Sequence, residues 1–374
     1  MIPLYKQARR VASQLNFKSG PFSAANRGLV YDKFSDTLRV KSQDKKTSAL
    51  VVQGNTVDFL TKFCQDPCKE TEKLLRTYIC RRHRLAWKLG AKIIQAGTKW
   101  RFISGLGAAH VLETGFVWHP TLGVPYIPAS SIKGAMRAYL TYWLGEDEEA
   151  KFEAKRLFGD SDRDGVGCLL VFDALPCRVP QLDIDIMSPH YGDYYTDPSR
   201  NLPGDYYSPV PINFLAVAAK QQFEFCLAPY PGKGSESDLK QGQRILEETL
   251  GLIGCGAKTA VGYGVFCDFK DISASIYQKL TEKEQKERLA ALSPLERRLL
   301  ELKIASKTET NHDRLKNMTV DLFNDLEQLE PKEQQRAAQV LKEIWIAMDD
   351  WKGKISKKQG LKVERVKQIL GEEN

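Results

Sequence analysis

The chain has 374 residues, 42% of them apolar and 27% charged, and 55 basic against 47 acidic side chains leave a net charge of +8. That is enough apolar material for a buried core, with a mild tilt towards anionic partners and nothing like the charge density of a histone tail. No run of eighteen apolar residues offers a membrane span, and Met1-Ile2-Pro3-Leu4-Tyr5-Lys6 opens without a signal-length apolar stretch, so a cytoplasmic protein is expected, with its eight cysteines reduced.

Residues 1–98 form a basic, largely helical first segment. Lys6, Arg9, Arg10, Lys18 and Arg27 lie near its start. From Val57 to Lys92 the pattern is helical with a break at Pro67, and Leu74, Leu75, Tyr78, Ile79 and Leu85 make the apolar stripe. The run Leu74 to Ala96 is expected to be helical and carries Arg76, Arg81, Arg82, Arg84, Lys88 and Lys92 with few acids between them, which suits a solvated face or a face for a phosphate backbone. Cys64, Cys68, Cys80 and His83 have a C-x3-C-x11-C-x2-H spacing. It fits no tight zinc knuckle, and small core cysteines on the helical stripe are the expected reading, with zinc as the alternative.

Residues 99–270 change texture. Strands are expected over Trp100 to Ile103, Gly167 to Phe172, Phe214 to Ala218, Gln222 to Leu227 and Val261 to Phe269. Helices are expected from Ser130 or Ser131 to Leu144 and from Glu236 to Leu252. Strands flanking two helices predict an α+β sheet with helices packed on one face.

Four constellations in this region could carry chemistry. In Tyr126-Ile127-Pro128-Ala129-Ser130-Ser131-Ile132-Lys133-Gly134-Ala135-Met136-Arg137, a serine caps a helix start whose free amides suit phosphate, and Lys133 and Arg137 share one helix face. Between Gly251 and Gly264, five glycines in fourteen residues leave amides exposed, with Lys258 and Thr259 beside them. This is not a nucleotide-binding P-loop, because Ala257 separates Gly256 from Lys258 and the loop joins a helix to a strand. Asp160-Ser161-Asp162-Arg163-Asp164-Gly165 copies the opening of a calcium loop, but Val171 stands where the bidentate glutamate belongs, so a turn is expected. The fourth runs from Ile186 through His190, Tyr191, Tyr194 and Tyr195 to Tyr206, Tyr207 and Pro211, a tyrosine-rich loop whose rings either stack unpaired bases or pack on the sheet. His110, His119 and His190 are the candidates for acid-base RNA cleavage, though each reads more readily as structural. Asp183 and Asp185 alternate along a strand face without evident metal partners.

Residues 271–374 are helical and highly charged. Helix starts are expected at Thr281 and at Ser293-Pro294, with stripes at Leu295, Leu299, Leu302 and Ile304, at Leu322, Phe323, Leu326 and Leu329, and at Val340, Leu341, Ile344 and Trp345.

Taken in order, Asn26-Arg27-Gly28-Leu29, Gly105-Leu106-Gly107, Glu113-Thr114-Gly115, His119-Pro120, Gly123 to Gly134, Phe158-Gly159, Phe172-Asp173-Ala174, Pro189-His190-Tyr191 and Gly254 to Thr259 resemble the signature of RAMP proteins, in particular those of the type III-B Cmr effector complexes of CRISPR systems. Ala129 departs from the glycine usual in that family. The resemblance covers about residues 20 to 270 and implies a ferredoxin-like (RRM-like) fold with inserted loops, plus a C-terminal helical appendage. It also implies a structural rather than catalytic role, in which the chain holds the 3′ part of a crRNA among other Cmr-type subunits and near target RNA, with no cofactor. The residues implied to contact RNA are Ser130, Ser131, Lys133 and Arg137, then Gly254, Gly256, Lys258 and Thr259, and in the tyrosine loop His190, Tyr191, Tyr194 and Tyr195. A metal-independent crRNA-processing endoribonuclease and an assembly scaffold that barely touches RNA are the alternatives.

Overall fold

The computed structural model describes every residue except 1–25, 34–37, 45–46, 53–55, 66–68, 111, 145–147, 161–164, 205–207, 309–311, 352–354 and 373–374. The chain divides into two units, Met1–Gln278 and Lys279–Asn374. Chain order in the first is helix α1 (Arg27–Lys33), strands β1 (Leu38–Asp44) and β2 (Thr47–Val52), helices α2 (Thr56–Thr61) and α3 (Lys69–Lys88), then strand β3 (Lys92–Thr98). Helices α4 (Ala129–Ala138) and α5 (Glu148–Phe158) follow, then strands β4 (Leu169–Val171), β5 (Leu175–Pro176) and β6 (Leu182–Met187). A short helix α6 (Gly192–Thr196) leads to β7 (Ile212–Val217), β8 (Gln222–Pro229), helix α7 (Glu236–Glu248), β9 (Phe266–Asp271) and the start of α8 (Ser273–Ala291).

The main sheet is antiparallel in the order β4-β8-β3-β9, with β5 also paired to β8. Two hairpins stand apart from it, β1-β2 and β6-β7, the latter in register Leu182↔Val217 through Met187↔Ile212. The period-2 alternation of β8 sorts its side chains onto two faces. Phe223, Phe225 and Leu227 join the core with Ile132 and Met136 of α4 and Leu239, Ile245 and Leu246 of α7. Phe223, Phe225 and Phe266 meet edge to face with centroids 5.2 to 5.9 Å apart, and each such ring contributes about 1.5–3 kcal/mol by burial alone.

The other face is covered too, which corrects the expectation of helices on one side. Cys226 and Ala228 of β8 and Ile93 of β3 pack with Ala86 of α3 and with Ile276 and Tyr277 of α8. The cause is composition: the small side chains of Cys226 and Ala228 on β8 let helices approach closely. The exception on this face is Glu224, and α3 brings its partners. Arg82 donates to Glu224 at 2.9 Å and His83 lies 2.8 Å from the same oxygen.

Helix α3 stops at Lys88 rather than running on to Ala96, because Gly90 turns the chain with φ +62° and Lys92–Thr98 becomes the strand between β8 and β9. Trp100 to Ile103 form no strand; Phe102 makes a lone bridge to Val217. Helices α4 and α7 each end in one π turn, Tyr139–Trp143 and Thr249–Ile253.

In the second unit, α9 (Pro294–Thr308), α10 (His312–Asp325), α11 (Pro331–Ala347) and α12 (Lys357–Leu370) bury Leu299, Leu302, Leu322, Leu326, Leu341, Ile344, Trp345 and Val366 together. Ser293 caps α9, accepting from the Glu296 amide while the Glu296 carboxylate accepts from the Ser293 amide. Thr281 starts no helix, being inside α8, and Ile304 of the expected stripe faces solvent.

Candidate nucleic-acid interface

The helix start at α4 is built differently from the serine cap expected. Pro128 occupies the N-cap position and supplies no side-chain cap. The Ala129 amide instead donates 2.6 Å to Asp173 Oδ1, on the far side of a bridge that pairs Ile127 with Ala174. Ser130 and Ser131 lie in the first turn and are exposed; Lys133 is half-buried and Gly134 is open. The helix buries Ile132 and Met136 and so turns the serines outward. Arg137 donates to the Gly159 carbonyl at 2.6 Å, so its guanidinium ties α4 to the turn after α5.

In the glycine-rich loop, the glycines are spent on packing. Gly254 (φ +78°), Gly256 (φ +104°) and Gly264 (φ +68°) take left-handed backbone, and a β-carbon would meet the carbonyl oxygens of Gly264, Ile103 and Cys255 respectively. The loop lies along residues 101–103: Ala257 N donates to Ile103 O and Gly264 N to Arg101 O. Within it, Cys255 N bonds Gly264 O, Val261 N and Tyr263 N bond Lys258 O, and Gly262 N bonds Thr259 O. The Gly256 amide lies against the buried Cys255 thiol, and among the described residues the amides of Lys258, Thr259 and Ala260 are left without a backbone acceptor. Lys258 itself is left-handed (φ 58°) and begins a 3-10 turn, Thr259–Val261. A left-handed residue beside consecutive free amides is an anion-binding concavity. The Lys258 ammonium rests 6.0 Å above the Phe214 ring at its side.

Beneath this loop sits a cluster that the sequence pattern only half showed. Asp183 and Asp185 of β6 share Arg101, with Arg101 Nε 3.2 Å from Asp183 and Nη1 2.9 Å from Asp185. Tyr263 of the loop donates its hydroxyl to Asp185. Burial alone would raise the Asp185 pKa, but the hydrogen bonds from Tyr263, the Ile186 amide and Arg101 outweigh it and hold the carboxyl below its usual range. Burial and the neighbouring carboxylate push the Tyr263 phenol up to about 12. The two aspartates are thus structural acceptors. Arg101 was the missed residue; its signal was a lone basic side chain in an otherwise apolar run.

The two lysine-bearing motifs do not touch each other. Tyr139, just past α4, donates to Glu248 at the end of α7, so the helices meet at their C-terminal ends. The ten-residue α4 places Ser130 and Ser131 about 15 Å from that junction. Other motifs do converge: Asn26 caps α1 through Leu29 N and donates to the carbonyls of Pro120 and Thr121, while Gly123 lies against the Arg27 amide.

His190, Tyr191, Tyr194 and Tyr195 lie between β6 and β7, the latter two in α6; His190 and Tyr195 are exposed, Tyr191 and Tyr194 half-buried. Tyr206 and Tyr207 lie outside the described residues. The basic run on α3 splits: Arg82 is buried on Glu224, Arg76 pairs with Glu72, Lys88 sits over Trp87, and Arg81 is exposed. His110 stacks on Tyr31 at 4.5 Å, and its Nδ1 accepts from the Leu112 amide; burial lowers its pKa. Among the described residues no group of three or more His, Cys, Asp or Glu gathers as for a metal ion; Cys68 of the zinc spacing lies outside them. So do residues 161–164 of the calcium-like stretch, whose flanks Asp160 and Gly165 pair as a small antiparallel bridge. Among the described residues no helix is long and apolar enough to cross a membrane.

The RAMP superfamily model matches residues 88–267. A Cmr6 subunit of the CRISPR system of Pyrococcus furiosus is 30% identical over 232 residues, an alignment covering 46% of this chain and 66% of the relative. Cmr6 of Saccharolobus solfataricus is 30% identical over 160 residues, covering 42% and 49%. The chain therefore spans less than two thirds of either relative. Among solved structures, crystalline Cmr6 from P. furiosus is 27% identical and matches 48% of this chain and 98% of its own with a TM-score of 0.31. A chain of the type III-B Cmr-beta complex bound to cognate target RNA is 24% identical and matches 53% and 66% with a TM-score of 0.42. The matched segment runs from the end of α3 into β9, taking in α4 and the glycine-rich loop, and over that segment the chain is similar to the RAMP superfamily.

Proposed function

We propose that this chain is a non-catalytic, crRNA-binding structural subunit of a type III-B Cmr effector complex, working in the cytoplasm. It holds the 3′ part of the crRNA beside target RNA and neighbouring Cmr-type subunits. In this reading the order β3-α4-β4-β8-α7-β9, with strands arranged β4-β8-β3-β9, is a ferredoxin-like RAMP core over residues 99–270 together with β3. The described residues of the first segment, up to 98, pack on it, and those of 271–374 form a helical extension.

The observation that carries the reading is the loop itself: three consecutive amides without backbone acceptors among the described residues, at Lys258, Thr259 and Ala260, beginning at a left-handed lysine. Such a concavity takes phosphate oxygens irrespective of base. The outward first turn of α4, with Ser130, Ser131 and Lys133, offers a second phosphate site, where the helix dipole favours an anion. Arg137 serves that site by fixing α4 to Gly159. His190, Tyr191, Tyr194 and Tyr195 flank the strand or a neighbouring subunit.

Ultraviolet crosslinking of single-stranded RNA to the full chain tests this. Crosslinked peptides are expected to include residues 129–137 and 254–260; crosslinks found only elsewhere would remove both sites. A repeat RNA incubated with the chain and a chelator is expected to stay intact. Cleavage abolished by replacing His110, His119 or His190 would make the chain a nuclease instead.

A further inference from the structure

Between helix α3 and the stretch 172–175 lies a cavity of about 290 Å³, lined by Tyr78, Arg81, Arg82, Leu85, His119, Phe172, Asp173 and Leu175. Its walls are largely ring and aliphatic carbon, and three polar groups converge on it. His119 is 8% exposed, and its Nδ1 accepts from the Leu122 amide at 3.2 Å. The ring proton of the neutral imidazole therefore sits on Nε2, which has no partner among the described residues. Burial lowers the His119 pKa and favours that neutral form. Tyr78 and Tyr126 clamp the ring edge-on at 5.3 and 5.2 Å, so its direction is fixed. Asp173 spends one carboxylate oxygen on the Ala129 amide, which leaves the other as an acceptor. Arg82 is held by Glu224 and the Asp173 carbonyl, whereas Arg81 is exposed beside the cavity.

We propose that this cavity receives one unpaired nucleobase of the RNA strand, held between the Tyr78 and Phe172 side chains and met at its edge by His119 Nε2–H and the Asp173 carboxylate. The volume suits a single ring system and is small for a whole nucleotide with its phosphates. Every base presents a hydrogen-bond donor next to an acceptor, so a histidine N–H beside a carboxylate accepts any base and reads no sequence. The lining is largely ring and aliphatic carbon, and Arg82 is already engaged by Glu224 and the Asp173 carbonyl, which suits a base better than a phosphate. Location adds to the argument: Asp173 also caps α4, so the cavity adjoins the helix start on which a phosphate of the same strand is placed. The inference rests on the RNA-binding reading and deepens it, turning a backbone grip into a grip with one base extracted.

The test compares the full chain's affinity for an oligouridylate and for the same sugar–phosphate strand with abasic riboses, in wild type, Tyr78→Ala and Arg81→Ala. Wild type is expected to bind the base-bearing strand about tenfold more tightly, and Tyr78→Ala to lose most of that preference. Arg81→Ala, at an exposed position, is expected to reduce it two- to threefold and guards against a folding defect in the first variant. Equal wild-type affinity for both strands, or an undiminished preference in both variants, overturns the base site while leaving the phosphate contacts standing. Failure of wild type to bind either strand overturns the RNA-binding reading and the base site with it.

Discussion

The helix start at 129–138 and the loop at 254–264 look alike in sequence, each combining glycine, small residues and a lysine, yet they use their backbones in opposite ways. In the helix, Gly134 has open space around its α-carbon, and the amide taken at the N-terminus is satisfied by Asp173 from another segment. In the loop, Gly254, Gly256 and Gly264 exist so that two stretches of backbone can touch, and only the amides at 258–260 are left over. A glycine is therefore not by itself a sign of phosphate binding. In the loop it lets the chain fold back on residues 101–103, and the anion site is what that fold leaves unpaired.

Substitutions at the two glycine types should separate them most sharply. Gly264→Ala forces a β-carbon onto the Cys255 carbonyl at φ +68° and is expected to cost at least about 3 kcal/mol in chemical denaturation. Next is the cluster under the loop. Asp185→Asn removes the charge that Arg101 and Tyr263 bind, at a cost of about 2 kcal/mol near pH 7. Because the folded carboxyl is held below its usual pKa, this stabilisation is present above the ordinary aspartate range and disappears as pH falls through the folded value. The gap between wild type and Asp185→Asn should thus narrow in acid; a gap unchanged down to pH 2 would mean the charge is not what matters. At the helix start, Asp173→Ala should cost about 1 kcal/mol, the usual worth of a cap. The smallest effect has the opposite sign: Gly134→Ala, exposed in a helix, should stabilise by about 0.5–1 kcal/mol. A destabilised Gly134→Ala would show that this glycine too is needed for close approach.

Much of this was legible in the sequence because it depended on local pattern. The alternation in Gln222–Pro229 and the capping pair Ser293 and Glu296 showed where they would fold, since their partners are near in sequence or set by period. The exchange of a helix for a strand at Lys92–Thr98 was not visible, because Ile93, Ile94 and Ala96 suit either and the choice is made by β8 and β9 on its two sides. Arg82 looked like one more cation on a solvated face; only Glu224, 142 positions away, makes it a buried partner. Likewise Asp173 as the cap of α4 and Arg101 as the partner of Asp183 and Asp185 are long-range pairings that no spacing rule contains. For the candidate site, the sequence marked the segments, and the structure sorted free amides from engaged ones within them.

The central claim is that leftover loop amides and two lysines hold a sugar–phosphate strand, and its most direct test is the dependence of RNA affinity on salt. For Lys133→Ala combined with Lys258→Ala, the slope of log affinity against log salt should flatten by roughly two relative to wild type, with the same loss for unrelated RNA sequences. A slope identical to wild type, or a loss confined to one sequence, would contradict it.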